Sequence, residues 1–516
     1  MTETGAANGP GPSGAARALS IVAVLALGLV TLSLAIETVS AISVRVGEEL
    51  VHDRLGGNIV DHVIRAHHGQ PIYSAPDDRW VPVVYTPLYY YLASGVMSVV
   101  GEGVFACRLT AVLLVAGSGL VALALARKLT GSWGWASLGI PLFLAGYPLC
   151  GFFYDSPRVD PLSSFVVLLA TWVAVRGKGM KSAVLLGALA VAAYFSKQST
   201  LAFSVALLGG LTIIDWRRAL VSAITALSLG GTLVVIANGV SDGWFWKYCG
   251  YLTTQHDFPP DRRREIIGED LFAVGLPLGG LLLTVPFLLA ANPRREENRG
   301  TSLVVLAALA TVAFSFTSHA RSGATIKVLM PLGPVFAAAI PVGFAWLERR
   351  REGQGWKLGV RSLAFVIVAG FALQHHFNSS EAITPQADLE RWEELKSEVE
   401  EWSEKGQVWV APWGYFTTPM EGQGMRPNLI ALEDYLGVKG NDTGLPFPEA
   451  LEKQIEAQEY VAIFMPTKGG NRDLRSMIKQ YYRVVEQREM VVGTNRFTMD
   501  LGTFVPRATP GGRRSR

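Results

Sequence analysis

Stretches of apolar residues, many close to the ~20 residues a helix needs to cross a bilayer core about 30 Å thick, recur along this chain and constrain its fold more than any other feature. They fall at 18–39, 105–126, 133–153, 161–175, 182–195, 199–214, 219–238, 271–291, 301–317, 324–346 and 358–373. A chain patterned this way cannot bury all its apolar surface in one water-soluble core, so lipid must be its solvent. Half of its 516 residues are hydrophobic and 17% are charged, where a soluble protein carries about 25% charge. The mean hydropathy is +0.29. The pattern predicts a polytopic α-helical membrane protein with about 11 transmembrane helices and a C-terminal α/β domain. The first run is too long for a signal-peptide core and lacks a small-residue cleavage site, so it reads as an uncleaved first span.

Charge placement orients the bundle. Short loops rich in Lys and Arg stay on the cytoplasmic side. If the N-terminus is cytoplasmic and the apolar stretch 86–100 lies along the outer surface, five alternate loops are basic. They carry Arg127 and Lys128; Arg176, Lys178 and Lys181; Arg217 and Arg218; Arg294, Arg295 and Arg299; and Arg349, Arg350, Arg351 and Lys357. A crossing at 86–100 would move all five outside. The expected organisation is a disordered N-terminus at 1–16 and a transmembrane domain at 17–374 with a first outer loop at 41–104. An outer α/β domain at 375–505 and a disordered tail at 506–516 complete it. This places a multi-pass protein in the cytoplasmic (inner) membrane with its C-terminal domain outside. In that domain ADLERWEELKSEVEEW is a charged amphipathic helix, while VWVAP, YVAIFMP, YRVVEQREMVV and RFTMDLG read as strands.

The outer side concentrates the chemistry. The loop from Ser43 to Gly101 carries Glu48, Glu49, Asp53, Asp61, Asp77 and Asp78, with four of the chain's eight histidines. Asp61, Arg65 and His68 share one helical face, either as solvated ion pairs or as part of a site; Asp53 or Asp61 can act as general base toward a hydroxyl. His52, His62, His67 and His68 lack HxxxH or HExxH spacing, so no metal or other cofactor is expected. Cys107, Cys150 and Cys249 are an odd number without CxxC spacing, which suggests neither disulfides nor a zinc site. The net charge of +3 gives no reason to expect nucleic acid as a partner.

Ionisable groups at the membrane edge usually have a functional reason. The turn FFYDSPRVDPL places Asp155, Arg158 and Asp160 between two runs, either as a solvated turn or as an Arg–carboxylate pair that orients a charged substrate. Lys197 follows the next outer turn, and Arg321 and Lys327 flank the last but one outer loop. With Arg158 they can form an anion site, and a phosphate attached to a lipid suits both its charge and its depth. Tyr85 and Tyr89 lie in YTPLYYYL, which fits an interfacial aromatic belt or the lining of a sugar or prenyl groove together with Asp155.

The layout resembles the GT-C glycosyltransferases, in particular their protein-mannosyltransferase and aminoarabinose-transferase branch. The residues that carry the resemblance are the acid-bearing first loop, the Gly69–Tyr73 turn, the segment Tyr85–Leu92, Arg108 at the start of the next run, SPRVDPL and the C-terminal α/β domain. Leu55 and Gly56 stand where that branch often has an Asp-Glu pair, and Tyr85 and Thr86 where it often has a lysine. The resemblance implies transfer of a sugar from a polyprenyl-phosphate donor to a lipid, glycan or protein hydroxyl outside the membrane. It makes Asp53 the base with Asp61 as substitute, gives Asp160 a supporting role, and puts Lys197 and Arg321 at the donor phosphate. Beside it stand two other readings, a transporter or flippase of a lipid-linked anion and a non-catalytic assembly factor.

Overall fold

The computed structural model describes residues 14–51, 53–416, 420, 423–438, 441–492 and 497–507. Of the ends expected to be disordered, 1–16 and 506–516, residues 1–13 and 508–516 lie outside the described residues, as does His52, while 14–16 are helical. All eleven apolar runs fold as helices. Seven of these are long and apolar enough to cross a membrane, or eight if the bent pair Pro260–Ala273 and Gly275–Ala290 forms one span. The helices at Gly139–Leu149, Asp160–Arg176 and Thr200–Ile214 are shorter, so length alone supports fewer spans than the about 11 expected.

The bundle has a definite inside. Every residue from Lys327 to Glu348 is buried, whereas the spans Ser20–Val46 and Trp216–Val240 bury little of their surface and present apolar side chains outward. With lipid as apolar as leucine, close packing rather than water exclusion holds such helices together, and small residues allow it. Gly146 and Gly333 meet at such a crossing: a Cβ on Gly146 would stand 2.2 Å from the Tyr154 hydroxyl and 2.8 Å from the Gly333 Cα. This contact fixes the helix Leu332–Glu348, and the 3₁₀ turn Ile326–Leu329 before it, against the turn that follows Leu149.

Helix α1 (Gly14–Val46) leads into the first loop, where Asp53 caps α2 (Arg54–His67) by accepting from the Gly56 N–H at 2.6 Å. Gly56 has to lack a side chain, since a Cβ there would lie 2.5 Å from that same carboxylate. The stretch 86–100 contains α3 (Leu88–Val100), thirteen residues that are too short to cross alone, and α4 (Val104–Thr130) follows.

The C-terminal region carries a four-stranded sheet made of β1 (Gln407–Val410), β2 (Tyr460–Pro466), β3 (Tyr482–Val492) and β4 (Phe497–Pro506). Their order is β1-β2-β4-β3, with β1 and β2 parallel and the other pairs antiparallel. The helix Gln386–Ser403 lays Trp392, Leu395 and Val399 against it. The last strand runs to Pro506, and Arg507 donates its N–H to the Tyr481 carbonyl, so order extends past the expected boundary at 505. This domain sits on the first loop. The Val51 N–H donates to the Tyr415 hydroxyl at 3.1 Å, and Gly57 lets the Tyr415 ring approach to where a Cβ would be 2.9 Å away. Gln454 donates to Asp78 at 2.6 Å, and Lys396 pairs with Glu49 at 3.0 Å.

Candidate active site

Two charged networks meet in the turn 153–160, where three ionisable groups within six residues face different ways. The inner network is buried throughout. Asp155 accepts from Arg45 Nε at 2.8 Å and sits 3.3 Å from Arg108 Nη1, with all three side chains at most 1% exposed. Arg45 Nη1 also donates to the Ala382 carbonyl at 3.0 Å, and Arg108 Nη2 to the Leu50 carbonyl. A buried guanidinium demands such partners. Asp155 therefore ties α1, α4 and the linker into the C-terminal domain rather than lining an open groove.

The outer network runs through five residues as an alternating row of charges: Lys327, Asp53, Arg158, Asp160 and Lys197. Asp53 Oδ2 lies 3.2 Å from both Lys327 Nζ and Arg158 Nη1. Arg158 Nε is 4.0 Å from Asp160 Oδ2, and Lys197 Nζ donates to Asp160 Oδ1 at 2.6 Å. Lys327 also stands over the Phe153 ring. Three cations against two carboxylates leave one positive charge. Arg158 is buried, and among the described residues its Nη2 finds no hydrogen-bond partner. Asp53, with 18% of its side chain exposed, is the most open of the five. Burial pushes its carboxyl up, but Arg158 and Lys327 outweigh burial and hold it below the usual carboxylate range. The row thus carries a net positive charge around the Asp53 carboxylate.

Not every candidate residue joins it. Asp61 is buried beneath the C-terminal domain, close enough that a Cβ on Gly414 would lie 2.9 Å from its Oδ2. Arg321 donates to the Thr253 carbonyl at 2.8 Å and covers the Phe258 ring, which fastens the 241–273 segment and leaves the row of five without it. Tyr85 borders the row: burial raises its phenol, and Arg158, Asp160, Asp434 and Asp53 all act on it. Tyr89 is fully buried and donates to the Cys107 carbonyl at 2.9 Å, beneath the site rather than facing it. Arg65 and His68 turn to other partners, the Pro71 carbonyl and Glu102, so the helical face they share with Asp61 carries no ion pair among them.

His62 is a structural histidine. Its Nδ1 lies 2.7 Å from the Asn58 carbonyl and its Nε2 3.0 Å from the Val83 nitrogen. Nδ1 therefore carries the proton and Nε2 accepts. Burial pushes its pKa down to about 3, and its ring packs against Trp80 and Tyr90. Among the described residues no group of three or more His, Cys, Asp or Glu side chains is arranged to hold a metal ion.

One further acid escaped the sequence reading. Asp434, on the helix Leu429–Leu436 of the C-terminal domain, faces His256 at 3.7 Å, and burial pushes it up to about 6 against the effect of His256. Nothing local in LIALEDYL marks it, because its setting is made by a loop about 180 residues earlier.

No family model matches the chain, and no curated protein does either. Among solved structures, the chain is similar to ArnT from Cupriavidus metallidurans bound to undecaprenyl phosphate. The match has a TM-score of 0.50 and 13% identity over 92% of this chain and 98% of that one. The apo state of the same protein gives a TM-score of 0.49 and 13% identity over 93% and 98%. The fold is thus similar to that of ArnT over nearly the whole chain.

Proposed function

We propose that this protein is a membrane glycosyltransferase that moves a sugar from a polyprenyl-phosphate donor to a hydroxyl acceptor. The observation that carries the proposal is the Asp53–Arg158–Lys327 arrangement: a half-open carboxylate held beside two buried cations, in an ArnT-like fold. Both groups required by the reaction are there. The phosphate leaving group needs its developing charge held in a site poor in water, and Arg158, Lys327 and Lys197 supply that charge. The acceptor hydroxyl needs a base within hydrogen-bond reach, which is Asp53. Asp160 keeps Lys197 and Arg158 in place, and Arg321 acts at the rim through the loop it fastens. Tyr85 lines the sugar side. The donor enters from lipid along α3, whose Tyr91, Leu92 and Val99 face outward. The basic loops support a cytoplasmic N-terminus, with the site and C-terminal domain on the outer side.

The test is sugar transfer in detergent with a panel of polyprenyl-phosphate sugars, following release of free polyprenyl phosphate. Wild type is expected to release it from at least one donor. Asp53→Ala and Arg158→Met are each expected to lose at least ~100-fold, the scale of removing a general base or an electrostatic clamp. A folded wild type that releases nothing from any donor returns the protein to the transporter or assembly readings.

A further inference from the structure

The row of charges has a property that the transfer reaction does not require. Asp53 is placed as the base, yet its Oδ2 occupies the point equidistant from Lys327 and Arg158, 3.2 Å from each. That is the point an incoming phosphate oxygen would seek. We infer that Asp53 is the resident counter-anion of the phosphate seat, and that the donor phosphate displaces its carboxylate from Arg158 and Lys327 as it binds. This rests on the transferase reading above and adds an order of events to it.

Three features of the site support it. Asp53 Oδ1 is engaged separately, accepting from the Gly56 N–H at 2.6 Å, so the residue stays anchored to α2 while Oδ2 changes partner. Arg158 Nη2 is buried without a hydrogen-bond partner among the described residues, which leaves a donor for a second phosphate oxygen. The third feature is charge. The row carries one surplus positive charge and a phosphodiester donor carries one negative, so the loaded site is neutral.

Neutrality also survives the reaction. The acceptor oxygen forms its bond to the anomeric carbon, and the bond from that carbon to the phosphate oxygen breaks with its electron pair left on the phosphate. The acceptor proton goes to Asp53. The phosphate, now a monoester, gains one negative charge as Asp53 loses one, while Lys327, Arg158, Asp160 and Lys197 keep theirs. Tyr85, Tyr89 and Tyr90, the phenols that Arg158 acts on, stay neutral throughout, since burial raises each of them. A carboxylate held by two cations is a poor base, and one released from them is a better base. Displacement therefore strengthens the base only when the donor is present.

The test compares binding with turnover. Asp53→Asn removes the charge and keeps a good helix cap, and Asp53→Ser does the same with a smaller side chain if the first variant fails to fold. Undecaprenyl phosphate in detergent micelles is titrated against each protein, with tryptophan fluorescence as readout. The neutral variants are expected to bind about tenfold more tightly than wild type while losing transfer, and Lys327→Met to bind about tenfold more weakly. A wild type that turns over donor while neither neutral variant binds more tightly overturns displacement and leaves the transferase standing. A wild type that neither turns over donor nor binds the probe overturns both.

Discussion

Asp155 and Asp160 stand five residues apart in one turn and do opposite work. Asp155 is the carboxylate shared by two buried guanidiniums; Glu48 also acts on both, but loss of Asp155 would leave each without its ion-pair partner. Asp155→Ala is expected to lower stability by about 3–5 kcal/mol, read as a fall in the thermal midpoint in detergent; an unchanged midpoint would remove its structural role. Asp53 makes a prediction in pH. Its carboxyl is held below the usual range in the free protein, so its ion pairs stabilise the fold above the ordinary carboxylate pKa and are lost as pH falls through the lowered value. The acid limb of kcat/KM reports this free site, whereas the limb of kcat reports the donor complex. Displacement from Arg158 and Lys327 puts the kcat limb at the higher pH, and coincident limbs would count against it. His62 works in the same direction on stability. Buried neutral with a pKa of about 3, it favours the fold above the unfolded value near 6.5 and penalises it as pH drops below, by roughly 2 kcal/mol at pH 5. His62→Gln should flatten the dependence of the thermal midpoint on pH between 5 and 7.

At the scale of elements, the helices and strands were readable because each declares itself locally. An apolar run, or an alternating pattern bounded by Gly and Pro, needs no knowledge of its neighbours. The helix Gln386–Ser403 and all four strands of the main sheet coincide with segments picked out by pattern alone. The pairing of charges was not readable in this way. Lys327 meets Asp53 across 274 positions of sequence, and nothing in FFYDSPRVDPL says that Asp155 turns inward while Arg158 and Asp160 turn outward. Span number was less legible, since the run 133–153 folds as two short helices, Trp133–Ser137 and Gly139–Leu149. What joins distant elements here is small-residue contact, as at Gly146 and Gly333. Gly146→Leu should overpack this crossing at a cost of about 1–3 kcal/mol. It should also shift the helix Leu332–Glu348 and with it the 3₁₀ turn that carries Lys327, weakening binding of undecaprenyl phosphate. Retained affinity despite a lowered thermal midpoint would mean that the crossing supports the fold without setting the seat.

At the scale of the whole molecule, charge is sorted by end. Arg349 donates to the Thr130 carbonyl, Arg218 to the Ala174 carbonyl and Arg294 to the Ile213 carbonyl, which gathers the basic loops at one end of the bundle. The charged row, the docked C-terminal domain and the first loop occupy the other. Because short basic loops resist translocation, this separation predicts which end faces the cytoplasm. The three native cysteines are buried, so a single introduced cysteine can report its side. Gly353, exposed with open space around its Cα, samples the basic end, and Glu401, exposed on the helix Gln386–Ser403, samples the other. In intact cells an impermeant maleimide is expected to label Glu401→Cys, and to label Gly353→Cys only after the membrane is opened. The reverse pattern would put the anion seat in the cytoplasm. A donor presented on the outer leaflet could then never reach Arg158 and Lys327, and the proposed direction of transfer would fail with it.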